Sequence, residues 1–254
     1  MKENHMEKLL NKVPEVTLIF WIIKIMATTV GETGADFLIY NFGWGLMFTA
    51  FIMSTILVFV LLAQFESKRY KPSIYWLSVV IVSIVGTLMT DYLTDEYNVP
   101  LAISTAIFGI LLAIVFSFWH IEEGTLSIHT INTRKRELFY WLAILTTFAL
   151  GTAAGDLLAE SVNLGYLFSG AIFGSLIIVV ALAYYLLKIN SVLAFWLSYI
   201  LTRPFGASLG DYISQSTQNG GLGFGATNTS IVFLAIILGL VGFLIHQESR
   251  KICS

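Results

Sequence analysis

An all-α membrane protein of eight transmembrane helices, built as four parallel two-helix repeats, is predicted by three observations. Hydrophobic residues make up 57% of the chain and charged ones 12%, with a mean hydropathy of +0.81, a balance outside the range of ordinary soluble domains. Eight apolar runs are long enough to cross a hydrocarbon core of roughly 30 Å. Finally, the odd-numbered runs share a pattern of Trp, nine residues, Gly, four residues and Asp.

In chain order the runs cover approximately 13–38, 44–63, 74–92, 100–121, 138–158, 164–187, 192–213 and 224–246. The polar start "MKENHMEKLLNKVPEV" leads into an apolar stretch longer than a signal-peptide core and without a small-residue cleavage pattern. The first span is therefore expected to stay in the mature chain. Lys2, Lys8 and Lys12 precede span one; Lys68, Arg69 and Lys71 follow span two; Arg134, Lys135 and Arg136 follow span four. Lys188 follows span six, and Arg250 and Lys251 follow span eight. Twelve of the fourteen basic residues thus share one side, which the positive-inside rule makes cytoplasmic, with both termini there. Lone Cys253 excludes a disulfide within one chain. The net charge of -2 and the short basic runs argue against nucleic acid as a partner, leaving the lipid bilayer and a small ion. No feature of the sequence fixes an oligomeric state.

The repeat is carried by "FWIIKIMATTVGETGAD", "YWLSVVIVSIVGTLMTD", "YWLAILTTFALGTAAGD" and "FWLSYILTRPFGASLGD". Its tryptophans are Trp21, Trp76, Trp141 and Trp196, its glycines Gly31, Gly86, Gly151 and Gly206, and its acids Asp36, Asp91, Asp156 and Asp211. Each unit is expected to be a two-span hairpin, over approximately 12–66, 71–121, 136–188 and 191–246 of a single transmembrane domain spanning 1–254. An even number of spans per unit gives all four the same orientation, so a pseudo-symmetry axis should run along the membrane normal. Fifteen residues at 1.5 Å place each Asp about 22 Å from its Trp, in the outer third of the membrane.

The arrangement resembles a family of bacterial membrane proteins with four tandem copies of a two-span repeat bearing a recurrent tryptophan, a repeat of unknown function. Besides the Trp, Gly and Asp positions, "KVPEVTLIFWIIKI" and "LTRPFGASLGD" carry the resemblance, which covers about Lys12 to His246. It implies eight spans in a bacterial inner membrane. It implies no particular activity.

Residues four apart share a helix face, so each odd span can be read backward from its Asp. The stripes are Asp36, Glu32, Thr28 and Lys24; Asp91, Thr87, Ser83 and Val79; Asp156, Thr152, Phe148 and Ile144; and Asp211, Ala207, Arg203 and Tyr199. Ionisable groups in hydrocarbon usually face the bundle interior and pair there. Five acids (the four Asp and Glu32) against two bases (Lys24 and Arg203) leave a surplus of negative charge suited to protons or a hard cation such as Mg²⁺, Mn²⁺ or Ca²⁺. The expected function is transport of such an ion, with the acids as ligands or proton carriers and Arg203 and Lys24 as charge-balancing or gating groups. The divalent ion is expected as substrate, with no resident cofactor.

Other readings accompany this one. The aspartates could cap or brace the turns after their helices, and Arg203 could form a structural ion pair with Glu32 or Asp36. Pro204 suggests a kink beside it. The repeated glycines, together with Gly155 and Gly210, are expected to serve helix packing, and the tryptophans to serve packing or interface anchoring. "NGGLGFGATN" reads as a flexible outer turn. His5, His120, His129 and His246 map to the cytoplasmic end, away from the acids, which disfavours zinc or copper there. No Ser/His or His/Glu constellation suggests an enzyme. A non-transporting sensor or assembly module, with structural acids, is the main alternative function.

Overall fold

The computed structural model describes residues 11–253, so Lys2, His5 and Lys8 lie outside the described residues, as do the side chains of Lys251 and Cys253. Eight long helices follow one another: α1 Leu18–Asp36, α2 Leu46–Glu66, α3 Pro72–Asp91, α4 Leu101–Glu123, α5 Arg134–Asp156, α6 Tyr166–Leu187, α7 Ser191–Ser214 and α8 Ala226–Cys253. All eight are long and apolar enough to cross a membrane, and no strand occurs among the described residues.

The odd helices begin with explicit start signals. The Thr17 side chain accepts from the Phe20 backbone N–H, Thr133 from Arg136, and Asn190 from Val192 and Leu193, while α3 opens on Pro72, whose missing N–H costs nothing at that position. Gly45 and Gly165 turn the chain into α2 and α6 at φ 72° and 76°, a region that glycine enters without steric penalty.

Burial divides the helices into two classes. In the most apolar stretches of the spans built on α1, α3, α5 and α7, 56–78% of residues are buried, against 11–22% for α2, α4, α6 and α8. The odd helices therefore form an inner ring, α1 against α3, α3 against α5, α5 against α7 and α7 against α1, and the even helices face outward. Each outer helix packs mainly on the inner helix of the following repeat, α2 on α3, α4 on α5 and α6 on α7, and α8 closes the circle on α1. An extra turn follows each of the first three aspartates, before the chain reverses.

Those turns are five-residue π-helical segments, Phe37–Asn41, Tyr92–Glu96 and Leu157–Ser161. The fourth repeat differs. Its glycine-rich loop folds back on α7, with the N–H groups of Leu222, Gly223, Phe224 and Gly225 donating to the carbonyls of Tyr212, Gln215, Ile213 and Ser214. "NGGLGFGATN" is thus tied to the helix end by backbone hydrogen bonds, because the last-turn carbonyls of α7 need donors. Pro204 lies inside α7, which continues past it from Ser191 to Ser214.

The ring is locked at two levels. At its tryptophan end, the aromatic residue preceding each Trp packs on the Trp of the next repeat. Phe20 meets Trp76 at 5.5 Å, Tyr75 meets Trp141 at 5.6 Å, Tyr140 meets Trp196 at 6.2 Å and Phe195 meets Trp21 at 5.8 Å. Trp76, Trp141 and Trp196 are buried inside the bundle, so they pack rather than anchor at a lipid interface. Midway along, each repeated glycine receives the residue eight positions before the next repeat's Asp: Gly31 receives Ser83, Gly86 receives Phe148, Gly151 receives Arg203 and Gly206 receives Thr28. A Cβ on Gly86 would lie 2.6 Å from the Phe148 Cβ, and one on Gly151 would lie 2.5 Å from that of Arg203. The recurring glycine is therefore the socket by which each repeat takes its neighbour.

Candidate functional site

Because the inner helices are parallel and in register, their stripes meet as layers along the ring centre. Arg203 lies across that centre, fully buried. Its Nη1 donates to the Thr28 carbonyl at 2.7 Å and its Nε to the Phe148 carbonyl at 3.3 Å. Nη2 donates to Glu32 Oε2 at 3.0 Å, to Thr152 Oγ1 at 2.6 Å and to Thr87 Oγ1. One guanidinium on α7 thus reaches α1, α3 and α5, which only its planar fork of donors permits.

On the aspartate side of Arg203, carboxylates gather. One oxygen each from Glu32, Asp156 and Asp211 lies within 4.8 Å of the other two, and the three residues come from α1, α5 and α7. Asp211 is 6% exposed and its carboxylate accepts no hydrogen bond among the described residues. Asp36 and Asp91 stand beside this trio rather than in it. Asp36 Oδ2 faces the Gln215 amide at 3.4 Å, and Asp91 is partly buried, its carboxylate making no hydrogen bond among the described residues.

The capping alternative for these acids is not what the side chains do. Asp36, Asp91 and Asp156 each precede a π turn, yet none makes a side-chain capping hydrogen bond. Each lies at a helix C-terminus, where backbone N–H groups are already used and the dipole opposes negative charge. Asp95, Glu96 and Glu160, within the π turns, add further acid at the same end.

On the other side of Arg203 the bundle is closed. Among the described residues Lys24 pairs with no acid and has no hydrogen-bond partner; its Nζ lies 4.0 Å from the Phe148 ring centroid and 4.2 Å from that of Tyr199. Beyond it lies the aromatic layer. Of the two bases, Arg203 alone meets an acid, and that acid is Glu32 and not Asp36.

One ionic cluster escaped the four-residue stripe. Lys12 Nζ meets Glu137 Oε2 at 2.6 Å, Gln64 Nε2 donates to Glu137 Oε1 at 3.0 Å, and Glu137 is 1% exposed. It ties the segment before α1 to the end of α2 and the start of α5. A buried-side Glu four residues before Trp141, on the same face, was the available signal. Beside it, burial pushes the Tyr70 phenol above its ordinary range.

A ring of four repeats, eight apolar helices and a one-ended acidic core define a helical-repeat membrane protein. The family described as Repeat of Unknown Function (DUF347) matches residues 19–70, 74–125, 139–190 and 194–250, and the chain belongs to that family. No curated protein and no solved structure shows significant similarity to it.

Proposed function

We propose that the chain is a transporter of a small hard cation of the Mg²⁺, Mn²⁺ or Ca²⁺ class. It would sit in a bacterial inner membrane with both termini cytoplasmic, and the acidic end of the ring would face outward. The observation that carries this reading is the meeting of Glu32, Asp156 and Asp211 carboxylate oxygens within 4.8 Å, from three helices. Oxygen ligands at such spacing suit hard divalent ions, and mutual repulsion among the acids favours a bound positive charge. Asp36 and Asp91 would supply charge along the approach or a further ligand, and the ion would be cargo rather than a resident cofactor.

Arg203 would act as a built-in countercation. Its ion pair with Glu32 at 3.0 Å occupies the carboxylate that an arriving ion would use. Binding would then weaken the contact that holds the ring centre shut, so the ion site and the closure compete for one residue. Lys24, facing rings instead of acids, would keep positive charge below the closure and oppose passive cation leak. No catalytic role is proposed for any of these groups, since no nucleophile stands beside a base at this site.

A second reading has its own observation. Arg203 bonds to every other inner helix, which would equally serve a non-transporting sensor or assembly module locked by one guanidinium. Purified chain with Asp156→Asn separates the two. A transporter loses Mn²⁺-dependent thermal stabilisation and Mn²⁺ flux in proteoliposomes, whereas a structural acid changes basal stability without a Mn²⁺-dependent effect.

A further inference from the structure

The end of the ring remote from the acids carries an open hollow of about 310 Å³ where α6 passes into α7, lined by Tyr184, Tyr185, Lys188, Ile189 and Ser191. Its polar groups are all able to donate. The Lys188 ammonium and the hydroxyls of Tyr184, Tyr185 and Ser191 make no hydrogen bond or ion pair among the described residues, and no carboxylate lines the hollow. Such a set suits an anion with several oxygens.

Lys188 is also held in an uncommon backbone conformation. It follows α6 in the left-handed region, at φ 56° and ψ 36°. Among the described residues only Asn98 and Asn163 share a positive φ without being glycine, and asparagine tolerates that region far better than lysine. The turn after α4 uses Gly124 there, at φ 70°. A lysine at a turn where glycine is less strained implies that its side chain is used, and backbone outliers of this kind gather at functional sites.

We propose that this hollow binds the phosphate of an anionic phospholipid. α6 ends at Leu187 and α7 starts at Ser191, so the hollow lies where apolar spans give way to a polar turn, the level of lipid headgroups and of interfacial tyrosines. Lys68, Arg69, Lys71, Arg134, Lys135 and Arg136 belong to turns at the same end, and their charge draws anionic headgroups there. Leu186 and Leu187 beside the hollow are 72% and 75% exposed, an apolar surface for acyl chains that favours a lipid over free phosphate. The Lys188 ammonium pairs with one phosphate oxygen, and the phenols and the Ser191 hydroxyl donate to the others. Asn190 already takes the N–H groups of Val192 and Leu193, so side chains rather than the helix start carry the recognition. A lipid bound here leaves the acidic end untouched, and the site stands apart from the cation reading.

Thermal unfolding of the full chain in maltoside micelles, which carry no phosphate, tests this over titrations of phosphatidylglycerol, diacylglycerol and inorganic phosphate. In the wild type, phosphatidylglycerol is expected to raise the melting temperature saturably, and diacylglycerol, which lacks the phosphate, is not. Lys188→Gly relieves the turn and should melt at or above the wild type without lipid, yet need about tenfold more phosphatidylglycerol for half the shift. Lys68→Gln, with one positive charge fewer at the same end, should respond as the wild type does. Saturable stabilisation by inorganic phosphate alone, lost in Lys188→Gly, keeps the phosphate site and overturns its lipid occupant. No shift with either phosphate source, an equal shift with diacylglycerol, or an undiminished response in folded Lys188→Gly overturns the site. A response lost as fully in Lys68→Gln as in Lys188→Gly overturns it too, because net charge alone then accounts for the binding.

Discussion

Replacing Arg203 with glutamine should destabilise the protein and at the same time strengthen its response to a divalent ion. The substitution removes the ion pair to Glu32 at 3.0 Å and leaves that acid, 6% exposed, without its countercharge. Breaking a buried pair by removing one partner costs about 3–5 kcal/mol. At roughly 2–4 °C per kcal/mol for a chain of this size, the melting temperature should fall by about 6–20 °C. The freed carboxylate joins Asp156 and Asp211. A unit charge 4 Å from another contributes about 4 kcal/mol at an effective dielectric of 20. Even a third of that makes Mn²⁺ binding about tenfold tighter. The assay is thermal unfolding in detergent over a Mn²⁺ titration. Adding Glu32→Gln to Arg203→Gln should recover part of the stability and abolish the gain in Mn²⁺ response. A single variant that melts within about 2 °C of the wild type, or gains no Mn²⁺ response, refutes the countercation argument.

Three other outcomes follow from the same geometry. Gly151→Ala should cost at least about 1–3 kcal/mol in thermal or denaturant unfolding, because the new methyl meets Arg203 and Pro204. Gly155→Ala, whose Cβ finds Pro204 atoms at 3.6 Å, should be nearly neutral. Glu137→Ala should destabilise by roughly 3–5 kcal/mol by removing the countercharge of Lys12, whose Nζ keeps only the Phe65 carbonyl, and Lys12→Met with Glu137→Leu should restore much of it in the same unfolding assay. Asp211→Asn should leave folding intact, since its carboxylate accepts no hydrogen bond among the described residues, and should weaken Mn²⁺-dependent thermal stabilisation at least about tenfold.

Much of this architecture is legible in the chain because it is repeated. The fixed spacing of Trp, Gly and Asp marks four helices of one register, and steps of four place Arg203, Glu32 and Thr87 on one inner face. The physical basis is the helix period, which is local. Which helix packs on which is not local, and nothing in "LMFTAFIMSTILVFVLLAQFE" says that α2 leaves α1 for α3. The gathering of the acids was also partly hidden. Four aspartates look equivalent in sequence, yet Glu32 joins Asp156 and Asp211 while Asp36 and Asp91 stand aside. That asymmetry follows from single-copy residues: Arg203 fixes Glu32, and Gln215 turns toward Asp36. The π turns left no mark in composition, and Lys24 could not be separated from Arg203 until its neighbours proved to be rings.

Mn²⁺ binding to the detergent-purified chain, followed by loss of the free-ion electron paramagnetic resonance signal, tests the central claim most directly. The wild type is expected to show saturable binding that the paired change of Asp156→Asn and Asp211→Asn abolishes while the protein stays folded. Saturable binding of equal strength in the folded double variant, or none in the wild type, would contradict an acid-built cation site in this ring.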